Sequence, residues 1–186
     1  MTIRSAALML AGALSLGACA DASTLPQQED PAGRLSFSYS SDNSPMTGTF
    51  SVEGVHPGPG ADGTGTAAAK DGNGAYIFAQ RQTGQIVDGA SVVVPNLTLG
   101  DKGVSASCET GCAVITVTLT HTATGAAPRQ YACTITQGTV GVASISDTRI
   151  KGSFSGTGSC YSPADPNRPA IAITNGTFEA PFVALN

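Results

Sequence analysis

From Arg34 to the C-terminus apolar residues alternate with hydroxyl-bearing or small ones, and this period of two restricts the possible folds more than any other feature of the chain. Successive side chains of a strand point to opposite faces, so the pattern gives each strand one apolar and one polar face. Leu35, Phe37 and Tyr39 alternate with serines. Phe50 and Val52 repeat the pattern after Pro45, and Tyr76 with Phe78 does so after Asp71-Gly72-Asn73-Gly74. Further strands are expected at 91–99, 113–120, 130–137, 139–146, 150–156, 171–174 and 177–183, rich in threonine, valine and isoleucine and separated by glycine, proline and asparagine. No window after residue 20 holds a helical period over three turns. The expected fold is therefore all-β: a mostly antiparallel β-sandwich or small β-barrel of about 8–10 strands, since parallel strands would need crossover helices. Pro95 and Pro181 place their strands at edges or bulges.

The N-terminus carries a different signal. Arg4 precedes an apolar run from Ala6 to Leu16, interrupted by Gly12 and Ser15 and followed by Gly17 and Asp21. A membrane-spanning helix needs about 20 apolar residues, so this run is too short to span and has the length of a secretory signal. It ends in Leu16-Gly17-Ala18-Cys19, an aliphatic residue and two small ones before a cysteine, which resembles the lipobox of bacterial lipoproteins. The resemblance implies that 1–18 is a signal peptide, that Cys19 is the lipidated first residue of the mature chain, and that the protein is anchored to the membrane by acyl chains in the bacterial cell envelope. Ala20 rather than aspartate follows the cysteine, which in that class implies the outer membrane. Each buried methylene of an acyl chain contributes about 0.8 kcal/mol, so two or three chains hold stably where one holds marginally. Residues 19–33 contain Pro26, Pro31, two glutamines and three acids without apolar periodicity, and read as a flexible tether to a single domain at 34–186.

An oxidising compartment favours pairing of the four remaining cysteines, Cys108, Cys112, Cys133 and Cys160. By the alternation, Cys133 shares a face with Tyr131 and Ile135, and Cys160 has the parity of Ile150 and Phe154. Both thiols point inward. The preferred pairing is thus Cys133–Cys160 between strands, with Cys108–Cys112 closing a short turn. A four-cysteine zinc site is the competing arrangement, but its second half has no close pair, so no metal is assigned.

Composition narrows the partners. The net charge of −4, with 12% charged residues, includes no lysine or arginine cluster, which argues against nucleic acid. Gly58-Pro59-Gly60-Ala61-Asp62-Gly63 has dinucleotide-loop spacing but contains proline and opens no helix. The wider segment 54–74 is glycine-rich and is expected to be disordered or a contact loop. Asp71 and Asn73 echo the start of a calcium loop without its downstream acid, and Asn73-Gly74 is a hairpin turn signal. Asn96-Leu97-Thr98 and Asn175-Gly176-Thr177 match a glycosylation pattern that means little in a bacterial chain.

Catalysis has little support. His56 lies in the glycine-proline loop, and His121 ends a strand, where exposure is expected. Glu53, Asp88, Glu109, Asp147 and Glu179 are scattered, and no serine elbow occurs, so no catalytic residue and no cofactor is assigned. The expected role is a non-enzymatic binding or interaction module whose partner is an envelope protein, a polysaccharide or a host molecule. The alternative is a carrier of a small apolar ligand inside a β-barrel, and a hydrolase ranks below both. Gly48-Thr49-Phe50, Gly152-Ser153-Phe154 and Gly176-Thr177-Phe178 resemble the barrel strands of bacterial surface lipoproteins such as transferrin-binding ones. With ten aromatic residues in the chain, most are needed for the core, which places the carrier second.

Overall fold

The computed structural model describes residues 32–42, 46–57, 62–107 and 111–184. The expected signal peptide, Cys19 and most of the tether lie outside the described residues, as do Cys108 and Glu109. The strands are β1 (Arg34–Ser40), β2 (Gly48–Glu53), β3 (Gly65–Asp71), β4 (Gly74–Thr83), β5 (Ile86–Val94), β6 (Gly100–Val104), β7 (Val114–His121), β8 (Arg129–Ile145), β9 (Arg149–Tyr161) and β10 (Ala170–Pro181). They form one antiparallel sheet in the order β2-β1-β10-β9-β8-β7-β5-β4-β3, nearly closed into a barrel. The fold is all-β, as the alternation requires.

Closure is made by short parallel contacts at β3. Val55, just past β2, bridges Thr66, and Phe182, just past β10, bridges Ala68. The Thr66 amide donates to the Gly54 carbonyl at 2.8 Å and the Val183 amide to the Ala68 carbonyl at 2.8 Å. These bonds satisfy backbone groups that an open edge would leave bare.

Several boundaries differ from the sequence expectation. The expected strands 130–137 and 139–146 are one strand, β8, and 171–174 with 177–183 are one strand, β10. Bulges explain the apparent breaks, because register shifts between Ile135 and Gln137 on β8 and between Ile173 and Gly176 on β10 interrupt the alternation without ending the ladder. The first half of β8 pairs with β7 and its second half with the short β6. Strand β5 begins at Ile86 and stops at Val94, one residue before Pro95. Pro181 is the last residue of β10. The segment 54–74 is not all loop, since Gly65–Asp71 is β3. Its turn to β4 is Gly72-Asn73, not Asn73-Gly74, because Asp71 and Gly74 already pair and Gly72 takes the left-handed φ of +55° that a tight hairpin needs.

The apolar faces point inward. Leu35, Phe50, Ile77, Ile115, Ile135 and Ile150 have no water-accessible surface. Phe37 stacks on Phe50 at 5.1 Å and meets Phe154 edge-on at 5.8 Å. The expected bridge Cys133–Cys160 is formed within this core, linking residues directly opposite on β8 and β9. By the chain-entropy account a loop of this size contributes about 3.6 kcal/mol. The outward faces carry hydroxyls instead, among them Ser36, bonded to Thr177 at 3.1 Å, and Ser91, bonded to Thr116 at 2.7 Å. Apolar inside and polar outside is the reverse of a barrel seated in lipid.

Candidate binding surface

Strands β4, β5 and β7 lie side by side, and their register fixes which outward side chains become neighbours. Phe78 stands opposite Ser91, and Ser91 opposite Thr116; one step along, Gln80 stands opposite Gly89, and Gly89 opposite Thr118. Gly89 has no side chain, so the outer wall is hollow between Gln80 and Thr118. The hollow holds about 220 Å³ and is lined by His56, Tyr76, Phe78, Gln80, Ser91 and the two threonines, with Gly89 and the neighbouring alanines as its floor. The Tyr76 and Phe78 rings stack at 5.6 Å along one side, and the His56 ring meets Phe78 edge-on at 5.2 Å.

A second hollow of about 340 Å³ begins on the other side of Tyr76, where Ala69, Val93, Val94 and Pro95 form its walls and Asp71 contributes one carboxylate. Tyr76, half-buried, is the ridge common to both. At about 3.3 Å per residue, the stretch of β4 from Gly74 to Gln80 runs about 20 Å along this track. No Asp, Glu, Lys or Arg lines the first hollow among the described residues.

Charged groups gather elsewhere. At one mouth of the barrel the inward-facing Arg81 and Asp88 pair at 2.7 Å, and Asp88 also accepts the Thr120 amide at 2.7 Å. The Arg81 guanidinium lies 5.2 Å above the Phe50 ring, so this pair caps the apolar interior. Burial, and then the negative charge of Asp88, push the nearby Tyr39 hydroxyl above its ordinary range, while Arg81 opposes them. Toward the opposite end, on the outer face, Glu179 binds Arg34 at 3.3 Å, Lys151 at 2.9 Å and also Arg149. Burial raises the Glu179 carboxyl, but hydrogen bonds from Lys151 and Arg149 and their charges outweigh it and hold the group below the usual carboxylate range.

The residues singled out by sequence are thus dispersed. Cys133 and Cys160 are bridged in the core; Cys112 is disulfide-bonded, and the partner expected for it, Cys108, lies outside the described residues. A four-cysteine zinc site is thereby overturned. His56, expected in a loose loop, is 1% exposed because its ring is laid against Phe78. His121 ends β7 half-buried rather than exposed. Asp88 and Glu179 occupy separate ion-pair clusters, and Glu53 and Asp147 are exposed. Among the described residues, no three His, Cys, Asp or Glu side chains converge. Sequence reading placed Tyr76 and Phe78 on a strand but missed Gln80, Gly89 and Thr118 as their neighbours. Alternation turns those residues outward, yet nothing local sets their sideways register.

Comparison with protein-family models, with curated proteins and with solved structures finds no match.

Proposed function

We propose that this chain is a lipid-anchored protein of the bacterial cell envelope that acts as a non-enzymatic binding module through the outer wall of its barrel. The address comes from the signal-like run ending in Leu16-Gly17-Ala18-Cys19. The observation that carries the choice of surface is the filled interior: Phe50, Ile77, Ile115 and Ile135, from strands all round the barrel, have no surface that water can reach. A carrier needs internal space lined by such groups, whereas among the described residues two hollows lie outside, along β4, β5 and β7. The scattered carboxylates support a binding role over hydrolysis.

The course of the chain suits a tethered module. It enters the barrel at Gly33, whose carbonyl accepts the Gly54 amide at 2.8 Å, beside the residues that close the barrel at β3.

The test is mass spectrometry of the mature protein together with membrane fractionation. The expected outcome is an acylated Cys19 at the N-terminus, sedimentation with membranes, and release of a Cys19→Ala variant into the soluble fraction. A mature chain that retains residues 1–18, or bears an unmodified Cys19, would overturn the proposal.

A further inference from the structure

We infer that the two hollows either side of Tyr76 form a track for a linear, uncharged polysaccharide, with Tyr76 as the ring on which a sugar face rests. This rests on the reading of the outer wall as the binding surface and adds the ligand class. Four features of the site converge on it.

The first is polarity. Gln80, Ser91, Thr116 and Thr118 offer an amide and three hydroxyls, groups that both donate and accept, as a polyhydroxylated ligand requires. Among the described lining residues the first hollow has no Asp, Glu, Lys or Arg and the second has one carboxylate, Asp71, so an anionic polymer finds no counter-charge along the track. The second is shape. A hollow of about 220 Å³ is smaller than the pockets of about 300–1,000 Å³ that enclose whole small ligands, so it suits one ring of a longer molecule. The third is continuity: the second hollow shares Tyr76 and has Pro95 and Val93 on its walls, giving alternate apolar and polar stations along about 20 Å of β4.

The fourth feature separates a glycan from an extended peptide. A peptide that adds to a sheet needs unpaired backbone groups at an edge. Here β4 is paired along its length, to β3 on one side and β5 on the other, and β5 is paired in turn to β7. The backbone has nothing left to offer at the track, and recognition falls to side-chain hydroxyls, an amide and ring faces. That is the chemistry of sugar binding.

The deciding variant uses the floor of the first hollow. A Cβ at Gly89 would meet the Ala79 carbonyl oxygen at 3.3 Å, close but tolerable, and Gly89 has no left-handed φ, so Gly89→Thr puts a strand-compatible side chain into the hollow. Gly103→Thr on β6 is the matched control, because a Cβ there meets nothing within 4 Å. The mature protein, in a detergent without a sugar headgroup, is run in native gels containing dextran, laminarin, galactomannan or, as an anionic comparison, alginate. At least one neutral polymer is expected to retard the wild type and the Gly103→Thr variant. Gly89→Thr should weaken that retardation about tenfold or more, and Gln80→Ala and Tyr76→Ala should each weaken it several-fold, so the test stands even if the threonine variant fails to fold. Retardation by no neutral polymer, by alginate alone, or to the same extent in folded groove variants would overturn the assignment. Repeating the gels with Cys19→Ala protein separates this result from the lipid anchor, since the track does not depend on acylation.

Discussion

Glu179 is one carboxylate facing three cations, and its surroundings decide how acid affects the fold. Arg149, a buried guanidinium, and Lys151 hydrogen-bond to the same oxygen, and Arg34 reaches the other. Because the folded carboxyl sits below its ordinary value of 4.5, the cluster contributes stability that is fully present above that value. The contribution fades as pH falls through the lower, folded value. Glu179→Gln keeps the shape but removes the negative charge that Arg149 and Lys151 share. Its cost is expected to be about 1–3 kcal/mol at pH 7, read from urea unfolding midpoints. The gap between wild type and variant should narrow as the pH is lowered below 4.5. A gap that stays constant from pH 7 to pH 3 would show that packing, not charge, explains the loss.

Strands β9 and β10 show how the glycine-aromatic tripeptides set register. Gly152 of one strand stands opposite Phe178 of the other, and Phe154 opposite Gly176, so each ring lies over the glycine across from it. Tyr39 covers Gly48 in the same way between β1 and β2. The spacing of two residues within Gly-Ser-Phe and Gly-Thr-Phe makes the exchange reciprocal in an antiparallel pair, and a slip by one residue would lose both contacts. A Cβ on Gly152 would collide with the Gly141 carbonyl oxygen and the Phe178 ring. Gly152→Ala is therefore expected to destabilise the barrel by about 1–3 kcal/mol, the usual cost of overpacking. Gly72→Ala would act differently, through its left-handed φ and not through space, since a Cβ there has nothing within 4 Å. Equal stability of Gly152→Ala and wild type, by thermal unfolding, would refute the covering role. The sequence shows where these tripeptides lie but not which faces which, because pairing is a property of two strands. The same limit hid β3 and β6. Strand β3 is Gly-Thr-Ala-Ala-Ala-Lys-Asp, with small residues buried on both faces, so no alternation is written into it; β6 has a single large apolar residue in five. By contrast β1 and β7 each bury alternate side chains and were legible, β5 only from Ser91 to Val94, as was the inward parity of Cys133 and Cys160. The binding track was half legible: Tyr76 and Phe78 stand out on one strand, while Gln80, Gly89 and Thr118 meet only after three strands have aligned.

At the scale of the molecule, the filled interior and the hollowed exterior are two consequences of one constraint. Ten aromatic residues are few for a barrel of ten strands, and Phe37, Phe50, Phe154 and Phe178 are spent as one chain of rings within the core. Alanines, valines and isoleucines fill the rest, and the Arg81–Asp88 pair covers one mouth where an apolar interior would otherwise meet water. The inward side chains pack until Leu35, Phe50, Ile77, Ile115 and Ile135 have no accessible surface, which leaves no room for a ligand among them. A lipophilic dye such as 1-aminoanthracene, whose emission rises in apolar pockets, should accordingly show no saturable binding to the native protein. Phe50→Ala removes a ring with no exposed surface at the centre of the aromatic chain, at an expected cost of about 3–5 kcal/mol if the site cannot collapse. The space left is apolar, enclosed and about one ring in size, so the variant, if it remains folded, should take up benzene or xenon that the wild type does not. Saturable binding by the wild type would reverse the ranking of outer wall over interior and restore a carrier as the better account of the fold.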